Sequence, residues 1–192
     1  MPPEAARGGK YGSRRFKFVE RVDYRAMTDF IVYIDQPVPG GEDVVPGIAR
    51  VIAHKNASFV PHVLPIVAGT TVEWPNLDTI HHNAFSFSEA KPFDLGLYKD
   101  EVKRIVFDQP GRVDVFCSIH KSMHSIIFVV AHGYFSQPDR TGRYTLPNVP
   151  AGTYRLKAWH ERMPPQVREV EVPEQGEVRV DFTLSISSLP NY

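Results

Sequence analysis

Short apolar runs alternate with turn residues along most of this chain, at a spacing of roughly ten residues. The pattern predicts strands at 16–22, 30–34, 49–54, 63–67, 70–74, 84–87, 102–107, 112–116 and 125–130. Ala68-Gly69, Pro75-Asn76 and Gln109-Pro110-Gly111 break them, as an antiparallel sandwich or barrel requires. Residues 1–15 are rich in Gly, Arg and Pro and read as a flexible tail. Residues 38–47 form a turn-rich linker and the first domain boundary.

Beyond His132 the texture changes. Asp139-Arg140-Thr141-Gly142 reads as a turn, 144–146 as a strand, and Pro150-Ala151-Gly152 as another turn. Tyr154, Leu156 and Ala158 then alternate with Arg155, Lys157 and Trp159. Val178, Val180, Phe182 and Leu184 alternate in the same way with Arg179, Asp181 and Thr183. A period of two marks strands with one face buried and one wet. Residues 132–188 are therefore expected to form a second, smaller β-sandwich with too few strands to close a core alone. The N-terminal strands over 16–47 are candidates to complete it, which makes the middle domain, 48–131, an insertion.

Composition narrows the classes. Apolar residues make up 42% of the 192, enough for a real core, and 17 prolines with 13 glycines argue against long helices. An all-β chain follows. The 22 basic and 22 acidic side chains cancel, which disfavours nucleic acid as a partner. The longest useful apolar run, 126–131, is far too short to span a bilayer. Met1 to Lys10 hold no apolar signal region, so the chain is either cytoplasmic or read after removal of a secretory signal. A single cysteine excludes an internal disulfide and an all-cysteine zinc site.

That cysteine opens the sharpest motif, Cys117-Ser118-Ile119-His120-Lys121-Ser122-Met123, set between the strands at 112–116 and 125–130. One short loop thus presents a thiolate, an imidazole and a thioether, soft ligands that select copper over hard cations. A trigonal copper site needs one more histidine, and His81-His82-Asn83 offers two candidates upstream. Regular strand parity, with Phe85 and Phe87 assumed inward, selects His81. A Cys-His nucleophile pair lacks an orienting acid here, so a hydrolase is disfavoured. His124 is a surface residue or an alternative ligand, and His54, His62, His132 and His160 are assigned to surface or packing. Residues 99–104 (KDEVKR) read as a solvated edge.

Residues 48–131 resemble a cupredoxin. The resemblance rests on Phe59-Val60-Pro61, Gly69-Thr70-Thr71-Val72, Asn76-x-Asp78, His82-Asn83, Phe93-Asp94-Leu95-Gly96, Phe107-Asp108-Gln109-Pro110-Gly111 and the Cys117 loop. The short ligand loop is similar in spacing to that of amicyanin, and the whole to plastocyanin-like proteins associated with methylamine utilisation. Those often carry a carboxypeptidase regulatory-like β-sandwich. Gly142-Arg143-Tyr144-Thr145-Leu146, Val149-Pro150-Ala151-Gly152-Thr153-Tyr154 and Trp159-His160 look like that module. The resemblance implies a Greek-key sandwich with one type 1 copper. Its ligands would be His82, Cys117, His120 and the weak axial Met123, with Asn83 and Ser118 steadying the loops. Ile119 and Lys121 stand where amicyanin-type loops hold prolines, a departure that leaves the potential open. The implied function is one-electron transfer, not enzymatic turnover, between protein partners such as a c-type cytochrome or a dehydrogenase or oxidase, in the periplasm. The alternative is a copper-handling protein whose metal is delivered rather than cycled.

Overall fold

The computed structural model describes residues 28–41 and 49–185, and among these no helix forms: the fold is all-β. The expected strand at 16–22, the tail over 1–15, residues 42–47 of the linker and residues 186–188 lie outside the described residues. In chain order the strands are β1 (Ile31–Ile34), β2 (Arg50–Val51), β3 (Ala53–His54), β4 (Phe59–Val60), β5 (Val63–Val67), β6 (Thr70–Pro75) and β7 (Phe85–Ser86). They continue as β8 (Phe93–Asp94), β9 (Val102–Phe107), β10 (Gly111–Phe116), β11 (His124–Val130), β12 (Phe135–Ser136), β13 (Gly152–His160) and β14 (Met163–Val172).

A five-stranded sheet in the order β5-β11-β10-β7-β8 faces a three-stranded sheet, β2-β6-β9, with the short β3-β4 ladder beside them. Side-chain parity decides what lies between. Thr70, Val72 and Trp74 of β6 are buried, whereas Thr71, Glu73 and Pro75 are half-buried. Val113 and Val115 of β10 enter the same core, and Cys117 continues their parity one step past the strand end. Ile52, Phe59, Ile66, Phe107 and Ile127 complete the middle of this core. Two turns need glycine here. Gly69 joins β5 to β6 at φ 87°, and its N–H donates to the Phe107 carbonyl at 2.7 Å. Gly111 opens β10 at φ 145°, where a Cβ would stand 2.9 Å from that of Ala90.

β11 is buried on both faces. Ile127 and Val129 enter the sandwich core, while Ile126 and Phe128 meet Ile31, Tyr33, Val63 and Trp159 on the other side. The layer covering that outer face is an antiparallel sheet, β12-β1-β13-β14. Within it β1 lies between β12 and β13. Its Ile31 and Tyr33 face β11, and its Val32 and Ile34 face a second core around Tyr154, Leu156 and Ala158. Two-sided burial explains why 30–34 is apolar without alternation.

Two expected strands differ in the structure. Among the described residues, 144–146 and 178–184 pair in no ladder, although Tyr144, Leu146, Val180, Phe182 and Leu184 all pack on the second core. Tyr144 Oη donates to the Val180 carbonyl at 2.6 Å, and Gln166 Nε2 donates to the Thr183 carbonyl. Alternation reports which side chains are buried, not whether the backbone pairs. These segments cover the sheet as extended chain. The converse holds for β14, which Pro164 and Pro165 hide from a pattern reading. Among the described residues it lies at the sheet edge, where a missing N–H breaks no inner ladder.

Ile34 of β1 and Leu156 of β13 are opposed in the ladder and share the second core. Ile34→Ala and Leu156→Ala should each destabilise the protein by about 2–5 kcal/mol. A double-mutant cycle in urea should show the pair to be non-additive, coupled by roughly 0.5 kcal/mol or more. Strict additivity would mean that the two side chains do not share one core.

Candidate metal centre

The loop between β10 and β11 is held at several points. The Met123 N–H donates to the His120 carbonyl at 3.0 Å, closing the loop on itself. Asn83 Oδ1 accepts both the backbone N–H of Ser118 at 2.8 Å and its hydroxyl at 3.0 Å, tying this loop to the segment before β7. Asn83 Nδ2 reaches Asp94 Oδ1 at 3.4 Å. Asn83 thereby sets the distance between the chain carrying His82 and the chain carrying Cys117 and His120.

His82 is fully buried and His81 exposed. Parity is intact, but its inward set is His82, Ala84 and Ser86, and Phe87 is 87% exposed. The expectation from strand parity fails because it rests on the two phenylalanines as the inward face. In the structure Phe85 is only half-buried, and its ring packs against Phe87 and against Phe116 of the adjoining strand. The backbone of His82 exchanges two hydrogen bonds with that of Tyr98, at 3.2 and 2.8 Å, in a bridge outside any strand.

Hydrogen bonding sets the direction of the His82 ring. Its Nε2–H donates to Asp78 Oδ2 at 2.9 Å. The same carboxylate accepts the N–H of Asn56 at 2.7 Å and of Ala57 at 2.9 Å. Those two residues are both left-handed, at φ 55° and 51°, a rare conformation for alanine that aims consecutive amides at one acceptor. The Ala57 amide first, then that of Asn56 and the His82 ring, hold the Asp78 carboxyl below the usual aspartate range. With Nε2 committed, His82 Nδ1 carries the lone pair. It lies 3.1 Å from His120 Nδ1, which is 3.8 Å from Cys117 Sγ.

One donor atom from each of His82, Cys117 and His120 lies within 4.8 Å of the others. Met123, 1% exposed, is buried in the same core cluster as Cys117. Two imidazoles and a thiol converging from two chain segments, with an outer carboxylate orienting one ring, fit copper or another thiophilic borderline cation. His120 is half-buried, so the cluster reaches the surface along one edge only.

His54, which the sequence reading assigned to packing, lines this site. It is fully buried with its ring 5.5 Å from that of His82. Tyr98 Oη donates to the Trp74 carbonyl at 2.9 Å and so accepts from His54 Nε2 at 3.1 Å, leaving His54 Nδ1 without a partner among the described residues. Burial first, then the neighbouring His82, pushes His54 down to about 4. Burial, then the charge of Cys117, pushes the Tyr98 phenol up. The only sequence signal was a histidine amid the apolar residues of 49–54. His124 belongs elsewhere: its Nε2 donates to Asp114 Oδ1 at 2.9 Å and its ring stacks on Phe116 at 4.9 Å. His132 is buried against the Gln36 carbonyl, and His160 packs on Phe30. Residues 99–104 carry exposed ion pairs such as Lys103–Glu101 at 2.6 Å.

Residues 130–185 match the carboxypeptidase regulatory-like domain. No curated protein matches the chain. Among solved structures, a Cu-containing nitrite reductase from Thermus scotoductus is 33% identical, with a TM-score of 0.42, over 50% of this chain and 25% of its own. This chain thus spans about a quarter of that enzyme. Amicyanin from Paracoccus versutus is 24% identical over 52% of this chain and 97% of its own, with a TM-score of 0.38. A purple cupredoxin from Nitrosopumilus maritimus is 24% identical over 42% and 99%, also with a TM-score of 0.38. At these TM-scores the likeness concerns part of the backbone course, and the chemistry rests on the side chains described above.

The buried His54 makes stability pH-dependent. Its folded pKa of about 4 lies below the ordinary 6.5, so the unfolded chain takes up a proton that the folded one refuses. The stability is whole above pH 6.5 and is lost as pH falls toward 4, by about 3 kcal/mol in all. Urea denaturation of metal-free wild type and His54→Gln across this range should show the difference between them shrinking or reversing toward acid. Parallel curves would show that His54 does not titrate between the two states.

Proposed function

We propose that His82, Cys117, His120 and Met123 hold one type 1 copper, and that the protein carries single electrons between protein redox partners without turning over a substrate. The observation that carries this reading is the convergence of the chain's sole thiol with two imidazole nitrogens in a buried cluster beside a buried thioether. Bound copper supplies a one-electron couple between Cu(II) and Cu(I), with its potential tuned by the weak thioether donor.

The chain's own residues do the rest. Asp78 keeps His82 in the tautomer that offers Nδ1, and Asn83 holds the two ligand-bearing segments at a set separation. A scaffold this braced limits ligand movement between oxidation states. Trp74, Phe59, Tyr98 and Met123 exclude water from the inner side. His120 is the ligand nearest solvent, and Ile119 beside it is 52% exposed. Leu77 and Ile80, in the loop before His82, are 63% and 47% exposed. Exposed apolar side chains on the two loops that carry His82 and His120 suit brief docking of a c-type cytochrome or a dehydrogenase or oxidase. We place the copper domain at 48–131, the carboxypeptidase regulatory-like unit at 132–188 with β1 joined to it, and the protein in the periplasm.

Adding Cu(II) to the purified protein should produce an intense visible band, because a copper thiolate has strong charge transfer. Cys117→Ser should abolish that band while leaving the far-UV circular dichroism unchanged. A coloured Cys117→Ser protein would sink the proposal. Cyclic voltammetry tests the fourth ligand: Met123→Gln should keep the colour and lower the potential, and Met123→Leu should raise it. Unchanged potentials in both would leave Met123 as core filler.

A further inference from the structure

On the outer side of the sandwich His62, His124 and Glu161 form a second cluster, in which one donor atom from each lies within 4.8 Å of the others. They come from three places: the bend between β4 and β5, the start of β11, and the turn joining β13 to β14. Each histidine has one nitrogen committed elsewhere. His62 Nδ1 lies 3.1 Å from the His124 carbonyl, which can only accept, so Nδ1 carries the hydrogen. His124 Nε2 donates to Asp114 Oδ1 at 2.9 Å, and that carboxylate is gripped by Arg112 through Nη2 at 2.6 Å and Nε at 2.8 Å. The nitrogens left over are His62 Nε2 and His124 Nδ1.

His62 Nε2 stands 3.0 Å from Glu161 Oε1. In the neutral ring this sets a lone pair against a carboxylate oxygen, an arrangement that only a cation between them makes favourable. A proton can serve, and Arg162 Nε, 3.4 Å from the same oxygen, competes for the carboxylate. His124, its ring 5.4 Å from that of His62, adds a third donor that a proton does not use. Histidines whose far nitrogen donates to a carbonyl or a carboxylate are oriented as metal ligands are. The side chains of His62, Glu161 and His124 are 35%, 16% and 26% exposed, open enough for an ion to enter.

We propose that His62, His124 and Glu161 form a second metal site, taking a borderline divalent cation such as zinc with a water in the fourth position. Bound there, the ion clasps the β13–β14 turn to β5 and β11. It joins the two layers that share β11, independently of anything held by Cys117.

The test is to dialyse copper-loaded protein against micromolar Zn²⁺ and to count both metals per chain by mass spectrometry. Wild type should hold one zinc beside its copper, with a raised melting temperature. His62→Ala and the near-isosteric Glu161→Gln should bind zinc at least tenfold more weakly and lose the thermal shift, with copper content unchanged. No zinc in wild type means that a proton and Arg162 alone satisfy Glu161, and overturns the proposal. So does zinc retained in Glu161→Gln and His62→Ala, or zinc lost in His82→Ala but kept in His62→Ala, which places the ion in the first cluster.

Discussion

The burial of β11 on both faces is the constraint from which most of this structure follows. Its even-facing side chains, Ile126 and Phe128, would stand in water if the five-on-three sandwich existed alone. The sheet of β12, β1, β13 and β14 covers them, with Ile31, Tyr33 and Trp159 as the covering residues. Arg112 adds a cation–π contact, its guanidinium 5.6 Å from the Trp159 ring. The same strand ends the ligand loop. Met123 immediately precedes β11, so the packing that fixes the strand also fixes where the loop must return.

The metal cluster shows the same economy between backbone and side chain. Strand parity alone carries Cys117 inward after Val113 and Val115. His82 needs more, because it lies outside any strand. Asp78, capped by two left-handed amides, selects the nitrogen that His82 presents. His54 and Tyr98 wall the site with groups whose burial keeps both uncharged. A buried aromatic wall of this kind lowers the local dielectric and strengthens every electrostatic term inside it.

The two histidine clusters lie on opposite sides of one loop. Residues 117–120 serve the inner one, and His124, four residues after His120, serves the outer. Asp114 and Arg112 on β10 hold His124 outward, and its stacking on Phe116 reinforces that choice. The alternation of β10 thus separates the two: Val113 and Val115 line the core, and Arg112, Asp114 and Phe116 line the other face.

Local chemistry was legible in the sequence wherever it depended on spacing. Apolar runs set between turn residues located β5 and β9, the period of two located the buried face of β13, and the Cys117-x-x-His120-x-x-Met123 loop was visible as a soft donor set. Turn residues marked the breaks at Gly69 and Gly111, because only backbone sterics are involved there. Long-range choices were not legible. The N-terminal strand was a candidate for the second sandwich, but its register against β13, the exposure of Phe87, and the packing of 178–184 outside any ladder of the described residues all depend on which surfaces meet. Asp78 reaches His82 from four residues away in the same loop, whereas His54 joins the first cluster, and His62 and Glu161 make the second, only through tertiary contact between distant segments. A sequence states what each residue can donate or bury. Its partner is decided by the fold, because the free energy of a contact depends on what else packs around it.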